Sequence, residues 1–357
     1  MSNYSKDSIM NEALWLKSAS AKFEVAKADY PHPGSKQMTV KVHALGMNVV
    51  DALQGMQRRL IMPWLNYPAI VGGDVSGEVV EVGSEVTTFK VGDRVMGLAL
   101  GTEKEVNSSK EGAFQNYCLL NEKMTSPIPA FIDYSAASGL PIALSTAATG
   151  LFEREHLGLR LPKVVPVKSD QFVVILGGSS AVGSNAIQLA AAAGYRVITT
   201  ASAKNFAYVK SLGAEFVFDY HEANVEEEIA DCLSGAPLSG IFAIVQNSLQ
   251  SALKILKGST TKTKIACAQP ALLTKLGSLF KNTRNVQLSS IWGSDIRNTE
   301  VGTAIFKEYL PEALSTKQFV TAPKVQVMGT ELSSIPNVLD ELKKGVSATK
   351  YVVTLIN

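Results

Sequence analysis

The sequence predicts an α/β protein in which a doubly wound parallel sheet accompanies a separate β-rich unit. Short apolar runs broken by glycine-containing turns fill residues 1–125, a pattern typical of a barrel-like β unit. From about residue 131 onward, strand-length apolar runs alternate with helical segments, as in doubly wound sheets. The apolar run 172–176 leads through a glycine-rich turn into an Ala-rich helix, an order that indicates a parallel, right-handed crossover.

Composition limits the class of protein. A chain of 357 residues predicts two domains, since domains average about 150 residues. Lys and Arg number 34 against 32 Asp and Glu, and this balance argues against a nucleic-acid partner. The 3 cysteines are far apart in the sequence, so we expect no disulfide framework. The sequence has neither a secretory signal nor a membrane-spanning apolar run, and it therefore predicts a cytoplasmic protein without a membrane partner.

The β-rich part contains three well-marked strands, at 38–45, 79–82 and 95–98. Each is a short apolar or alternating run next to turn residues. The stretch 101–112 is charged and polar without apolar periodicity, and it predicts an exposed loop.

The α/β part begins with a helix at 136–152, in which Pro141 marks a kink or a helix start. A connector at 159–169 precedes the buried strand 172–176. The helix 182–193 ends at Gly194, where a helix C-terminus favours a left-handed residue. The further predicted helices of this part are 205–212, 225–233 and 250–256, and its further strands are 195–200, 216–219, 241–245 and 264–268, which gives a doubly wound sheet across about 131–295. The last 60 residues are of mixed character, with strands predicted at 324–328 and 350–355 and a helix at 335–344.

The glycine-rich turn between the buried strand and the Ala-rich helix spans Gly177 to Gly183. Small residues let the backbone approach a pyrophosphate, and the helix N-terminus offers N–H groups and a positive dipole end. The turn therefore predicts a dinucleotide site, although its spacing differs from GxGxxG. The alternative is a tight strand-to-helix turn that merely needs glycine.

The residues that follow the second strand of this α/β part, 195–200, indicate which dinucleotide binds. Sites for NAD place an Asp or Glu there, but no acidic residue lies between Gly183 and Glu215. The hydroxyl, ammonium and amide groups of Ser202, Lys204 and Asn205 instead suit a 2′-phosphate. The sequence thus predicts NADPH, with an ordinary surface lysine as the alternative interpretation of Lys204.

Five segments together resemble a known family, namely 44–51, 72–97, 111–117, 140–150 and 172–220. They are similar to the medium-chain dehydrogenase/reductase superfamily, in its zinc-independent quinone oxidoreductase and enoyl reductase branch. Residues 159–169 and 202–206 are most similar to fungal trans-acting enoyl reductases of the lovastatin type. The resemblance implies a Rossmann NADP-binding domain at 131–299, inserted in a GroES-like catalytic domain at 1–130 and 300–357. It also implies a cleft between the domains for nicotinamide and substrate.

The resemblance also implies positions for ligand contacts. The implied cofactor contacts are Asp51, Ser180, Ala181, Val182, Gly183, Ser202, Lys204, Asn205, Tyr220, Ala268, Gln269, Ser347 and Ala348. The implied substrate contacts are Pro141, Ser145, Thr146, Ile291 and Trp292, within the stretches 141–148 and 289–293. Core packing of Tyr220 and a simple buried helix at 141–148 are the structural alternatives.

Zinc-dependent members of the superfamily hold a catalytic metal with cysteine, histidine and acidic side chains. The matching positions here are Asn48, Gly73 and Asp74, so we expect no metal. Related enoyl reductases often carry a lysine at the position of Leu53, and its replacement removes an obvious proton donor.

The remaining catalytic candidates are Asp51 and Thr146, with Asn48 and Gln54 as further polar groups. None of them has, from the sequence, a pKa that suits a general acid, and water is the alternative proton source. Asp51 also suits a purely structural role as a hydrogen-bond acceptor.

The predicted function is NADPH-dependent reduction of an activated C=C bond, in an enoyl thioester or an α,β-unsaturated ketone, without a metal. Two alternatives stay open: a quinone reductase, and a nucleotide-binding module with little turnover. The expected partner is a small-molecule substrate, and the expected assembly is a monomer or a homodimer.

Overall fold

The structure, a computed structural model, describes residues 10–268 and 285–355. The chain divides into two compact units, one of residues 1–142 and 324–357 and the other of residues 143–323. The strands, in chain order, are β1 Asn11–Leu16, β2 Phe23–Ala28, β3 Gln37–Gly46, β4 Ala69–Ile70, β5 Asp74–Val82, β6 Arg94–Leu98, β7 Tyr117–Asn121, β8 Thr125–Pro127, β9 Phe172–Leu176, β10 Arg196–Ala201, β11 Phe216–Asp219, β12 Leu238–Ala243, β13 Thr263–Cys267, β14 Val286–Ser290, β15 Lys324–Gly329 and β16 Thr349–Thr354.

The helices connect these strands in both units. The α-helices are Gly55–Ile61, Tyr134–Ser138, Pro141–Phe152, Ala181–Ala192, Phe206–Ser211, Val225–Cys232, Ser248–Ile255, Glu300–Thr303, Leu310–Ser315 and Ile335–Leu342. A π-helical turn, Ala304–Tyr309, joins two of them, and 3-10 turns lie at Ser109–Glu111, Glu122–Met124, Ala203–Asn205, Asp295–Asn298 and Leu332–Ser334. Within residues 10–268 and 285–355, no helix combines the length and apolar character needed to cross a membrane.

The first unit is built from two sheets. One has three antiparallel strands in the order β2-β1-β4, and the other has seven strands in the order β15-β16-β3-β5-β6-β8, with β7 paired to β3. Val40, Val42, Val75 and Val79 on β3 and β5 have no exposed surface and form part of its core. This is the β-rich unit that the sequence predicted.

The second unit contains a six-stranded parallel sheet in the order β11-β10-β9-β12-β13-β14. This is the doubly wound order 3-2-1-4-5-6, in which the strand order reverses between β9 and β12. Every residue of β9 is buried, as its unbroken apolar sequence predicted. Helices cover it, and the predicted doubly wound α/β architecture is confirmed.

Two local predictions about helix ends are confirmed. Gly194 has φ +87°, and its N–H donates to the carbonyl of Ala191, closing the helix Ala181–Ala192. Pro141 starts the helix Pro141–Phe152, so the predicted segment 136–152 consists of two helices and is not one kinked helix.

The two units divide later in the chain than the boundaries expected from the sequence, 130/131 and 299/300. Asp74 accepts a hydrogen bond from the N–H of Ile142 at 2.6 Å, which ties the residues before 143 to the first unit. In the second unit, Asn185 and Gln188 donate to the carbonyls of Ala322 and Val320. These contacts join residues next to the observed boundaries to distant parts of the same unit, and apolar periodicity does not show them.

One local expectation from the sequence needs correction, and one strand was not expected. The stretch 101–112 is a loop, but it is not generally exposed, because Gly101, Glu103 and Gly112 are buried. Its backbone is held by bonds from Gly101 N to Glu111 O and from Ser108 N to Gly101 O. The strand β14 was not predicted, since its sequence, VQLSS, is short and half polar.

Candidate functional site

The glycine-rich turn lies at the carboxyl edge of the parallel sheet, directly after β9. Gly177 has φ +102°, and a Cβ there would lie 2.6 Å from Cγ1 of Val245. A Cβ on Gly183 would lie 2.2 Å from the carbonyl oxygen of Gly177. Gly177 needs glycine for its left-handed backbone and the nearby side chain of Val245. Gly183 needs glycine because the helix start packs directly against the backbone at the end of the strand.

Ser180 begins the helix Ala181–Ala192 as its N-cap. Its Oγ accepts a hydrogen bond from the N–H of Gly183 at 3.0 Å and donates to the carbonyl of Gly177 at 2.8 Å. Ala181 and Val182 form the first turn with Gly183. A helix N-terminus at the carboxyl edge, beside the reversal of strand order, is where doubly wound folds bind phosphate groups.

The turn after β10 contains the residues predicted for the 2′-phosphate. Asn205 is only 8% exposed and its Nδ2 donates to Oγ of Ser202 at 3.2 Å, so it braces the turn. Lys204 is exposed, and no carboxylate in the described parts of the chain pairs with it. The ammonium of Lys204 is therefore available to a ligand.

Asp219 lies at the same turn, although in the sequence it follows the stretch between Gly183 and Glu215 that has no acidic residue. The parallel register pairs Asp219 with Ala201, and its Oδ2 accepts from the N–H of Ala203 at 3.0 Å. Its Oδ1 accepts from the backbone N–H of His221 at 3.0 Å and lies 2.7 Å from His221 Nδ1. These donors, the backbone N–H of His221 foremost, lower the pKa of Asp219. The signal for this contact was its position as the last residue of a predicted parallel strand.

Two further predicted cofactor contacts each follow a strand of the parallel sheet at its carboxyl edge, Tyr220 after β11 and Ala268 after β13. Tyr220 is 55% exposed and its ring lies 4.1 Å from that of His221, which rules out a core-packing role. Ala268 follows β13 and donates its N–H to the carbonyl of Ala243. Gln269 lies outside the described residues.

The two stretches predicted to line the substrate contact each other in the second unit. Ser145 is fully buried and its Oγ donates to the carbonyl of Gly293 at 2.5 Å, while Thr149 donates to the same oxygen at 3.1 Å. A Cβ on Gly293 would lie 2.2 Å from Oγ1 of Thr146. Ser145 thus holds the two stretches together. Ile291 is buried, and Thr146 and Trp292 are half-buried; Pro141, also buried, belongs to the first unit.

Asp51 lies in the first unit, shortly after β3. It is 5% exposed, its Oδ2 accepts from the N–H of Asn48 at 2.9 Å, and Arg58 donates to its backbone carbonyl at 3.0 Å. Burial raises the pKa of Asp51 to about 7, and the negative charge of Asp74 adds to the shift. A carboxyl group with this pKa can hold and release a proton near neutral pH, a property that the sequence did not indicate.

The positions that correspond to the metal ligands of zinc-dependent members hold a different arrangement. Nδ2 of Asn48 donates to Oδ2 of Asp74 at 2.9 Å, and Nζ of Lys350 lies 2.8 Å from the same oxygen. Lys350 also donates to Oδ1 of Asn48 at 2.6 Å. This donor set does not fit zinc, because it has no thiolate or imidazole and because the carboxylate of Asp74 is already paired with the ammonium group of Lys350. The described residues contain no group of three or more His, Cys, Asp or Glu side chains suited to a metal.

Ser347 and Ala348 immediately precede β16, the strand that carries Lys350. Ala348 has φ +48°, a left-handed conformation that is uncommon outside glycine. Thr349 donates through Oγ1 to the carbonyl of Ser347 at 3.1 Å. The two predicted contact residues thus lie in a bend just before the strand, and the sequence did not indicate a role for Lys350 just beyond them.

A doubly wound sheet with a glycine turn at a helix N-terminus, together with a β-rich unit formed by both ends of the chain, defines a two-unit dehydrogenase or reductase. The alcohol dehydrogenase GroES-like domain family matches residues 34–130, and the zinc-binding dehydrogenase family matches residues 181–307. The chain belongs to the medium-chain dehydrogenase/reductase superfamily, whose members generally use a nicotinamide cofactor, and it is an oxidoreductase.

Curated relatives match almost the whole chain. Dehydrogenase pigH from Monascus ruber is 40% identical, over 97% of this chain and 99% of its own. Trans-enoyl reductase himH from Aspergillus japonicus is 34% identical, over 98% of each chain. Among solved structures, the quinone oxidoreductase from Coxiella burnetii has the same fold, with a TM-score of 0.71 and 24% identity over 98% of this chain and 100% of its own.

Proposed function

We propose that the protein is an NADPH-dependent reductase of activated C=C bonds, in enoyl thioesters or α,β-unsaturated ketones, that works without a metal. Such a reduction adds a hydride to one carbon and a proton to the other. The observation that carries the proposal is Asp51, a buried carboxyl group whose pKa, raised to about 7, suits proton delivery near neutral pH. The relative himH, a trans-enoyl reductase, supports this substrate class.

The cofactor phosphates bind in the second unit under this proposal. The pyrophosphate lies at the N-terminus of the helix Ala181–Ala192, where Gly183 allows close approach. The 2′-phosphate lies at the turn Ser202–Asn205, where Lys204 supplies the positive charge. The carboxylate of Asp219 is occupied by the N–H groups of residues 203 and 221 and by His221, so it braces this turn.

Bound NADPH supplies the hydride, and the chain supplies position and the proton. Asp51 is held by the N–H of Asn48, so its carboxyl group has a fixed place from which to donate. Thr146 contacts the substrate from the helix Pro141–Phe152, whose position relative to the stretch 289–293 is set by Ser145.

The direct test is to mix the purified protein with NADPH and follow cofactor absorbance with enoyl thioesters, enones and quinones as separate acceptors. We expect consumption with enoyl thioesters or enones. Consumption with quinones alone would favour a quinone reductase instead. Tight NADPH binding with no consumption on any acceptor would favour a nucleotide-binding module.

Replacing Lys204 with alanine tests the cofactor assignment. Lys204→Ala should weaken NADPH binding by about tenfold or more and leave NADH binding nearly unchanged, because only NADPH carries the phosphate that the ammonium pairs with. Titration calorimetry with each cofactor measures this. Lys210→Ala removes another exposed lysine nearby and serves as the control. Equal losses of affinity for both cofactors would contradict the assignment.

A further inference from the structure

Asp74 is a charged side chain with no exposed surface, and three donors surround it. Oδ2 faces Nζ of Lys350 at 2.8 Å and Nδ2 of Asn48 at 2.9 Å. Oδ1 accepts from the N–H of Ile142 at 2.6 Å. Lys350 is itself only 4% exposed and also donates to Oδ1 of Asn48 at 2.6 Å. The ammonium, the carboxylate and the amide thus form a closed triangle of contacts inside the first unit.

The backbone around this triangle is tightly packed. Strands β16, β3 and β5 are neighbours, and Gly46 on β3 pairs with Asp74 on one side and with Val352 on the other. A Cβ on Gly46 would lie 2.6 Å from Oδ2 of Asp74 and 2.4 Å from the carbonyl oxygen of Ser138. The carboxylate therefore packs against the backbone of Gly46 on one side, and Oδ2 faces the ammonium group of Lys350 on another.

A buried carboxylate needs a positive charge and hydrogen bonds, because desolvation penalises it strongly. Lys350 provides both to Asp74. A divalent cation that bound Asp74 and Asn48 would have to displace this ammonium and would find oxygen ligands without thiolate or imidazole. Two of the positions that match metal ligands in zinc-dependent relatives, Asn48 and Asp74, thus already contact a cation that belongs to the chain.

We infer that the ammonium group of Lys350 is the resident cation of this site, and that Lys350 is a positioning residue for the loop that carries Asp51. Lys350 and Asp74 fix the side chain of Asn48, and the backbone N–H of Asn48 holds the carboxyl group of Asp51. The loop after β3 is thereby anchored by a side chain from the C-terminal strand. The consequence for proton delivery rests on the proposed function, whereas the anchoring itself does not.

A double-mutant cycle tests the buried pair with the full chain. Lys350→Met and Asp74→Asn should each raise the unfolding equilibrium constant by about a hundredfold or more, because each leaves a buried charge without its ion-pair partner. The double variant has no buried charge and should be more stable than Lys350→Met alone. The exposed pair of Lys343 and Asp340 has the same 2.8 Å separation, at 41% and 65% exposure, and is the matched control. Its cycle should be additive within a factor of about two.

Additive effects in the buried cycle would overturn the inference. If Lys350→Met is insoluble and the double variant folds, the expected coupling is observed. If Lys350→Met and the double variant are both insoluble while Asp74→Asn folds, loss of the charge pair does not cause the insolubility, and the inference fails.

Hydrogen exchange and metal content test the anchoring and the resident cation without an activity assay. In Lys350→Met, or in the double variant, amide exchange in peptides covering residues 47–54 should accelerate by about tenfold, the loss expected for one hydrogen bond. Lys343→Met should not change it. Wild-type protein incubated with zinc and desalted should retain none. Unchanged exchange, or one retained zinc per chain, would overturn the inference, whereas missing NADPH turnover alone would count only against the proposed function.

Discussion

Gly183→Ala is expected to reduce dinucleotide affinity by about tenfold or more and to lower the free energy of unfolding by about 1–3 kcal/mol. The added Cβ would lie 2.2 Å from the backbone carbonyl oxygen of Gly177 and 2.8 Å from Cα of Gly178. Backbone atoms at the end of a buried strand have no freedom to yield. The helix start must therefore move away from the strand, and the first-turn N–H groups move away from the pyrophosphate. Titration calorimetry with NADPH and urea unfolding measure the two effects.

Gly34→Ala is the matched control for this substitution. Gly34 is exposed, and a Cβ there would meet only the side chain of Gln37, at 3.0 Å. This variant should bind the cofactor as the wild type does. If Gly183→Ala binds NADPH with unchanged affinity, the pyrophosphate does not lie at this turn.

Asp51→Asn is expected to remove a pH dependence of stability. The carboxyl group loses its proton near pH 3.8 in the unfolded chain and near pH 7 in the folded protein. Between these values the unfolded state binds fewer protons, so the stability contributed by Asp51 falls as the pH rises through the window. From about pH 5 to about pH 8, wild type should lose about 2 kcal/mol more of its unfolding free energy than Asp51→Asn does. Urea unfolding at several pH values measures this difference.

Asp133→Asn provides the comparison for the pH experiment. The hydroxyl of Ser135 and the N–H of Ala136 lower the pKa of Asp133, so its titration lies below the window. Its contribution is present above the unfolded pKa and is lost only as the pH falls below that value. The difference between wild type and Asp133→Asn should therefore be constant from about pH 5 to about pH 8. A difference between wild type and Asp51→Asn that is equally constant would show that Asp51 has an ordinary pKa.

Much of the second unit was predictable because its signals are local. The buried strand, the glycine turn and the helix that ends at Gly194 are encoded within residues 172–194. Continuous apolar character, the backbone freedom of glycine and helix capping act over a few residues, so the sequence displays them directly. The same locality explains why Pro141 marked a helix boundary correctly.

The boundaries of the units and the contacts at the site depended on residues far apart in the chain. Asp219 meets the turn at Ala203 because a parallel register brings the two strand ends together. Ser145 donates to Gly293, 148 residues away, and joins the two predicted substrate stretches. No spacing rule contains such a contact, because many registers and packings are compatible with the same apolar pattern.

The sequence by itself determined the doubly wound sheet, the β-rich unit, the glycine turn and the loss of thiolate and imidazole at the metal-ligand positions. Only the tertiary structure decided that Lys350, 302 residues from Asn48, supplies a cation to Asp74. The tertiary structure also determined the raised pKa of Asp51, whereas the sequence alone predicted a pKa unsuited to acid catalysis. Strand and turn propensities depend on neighbouring residues, whereas burial and charge pairing depend on which distant segments fold around a group.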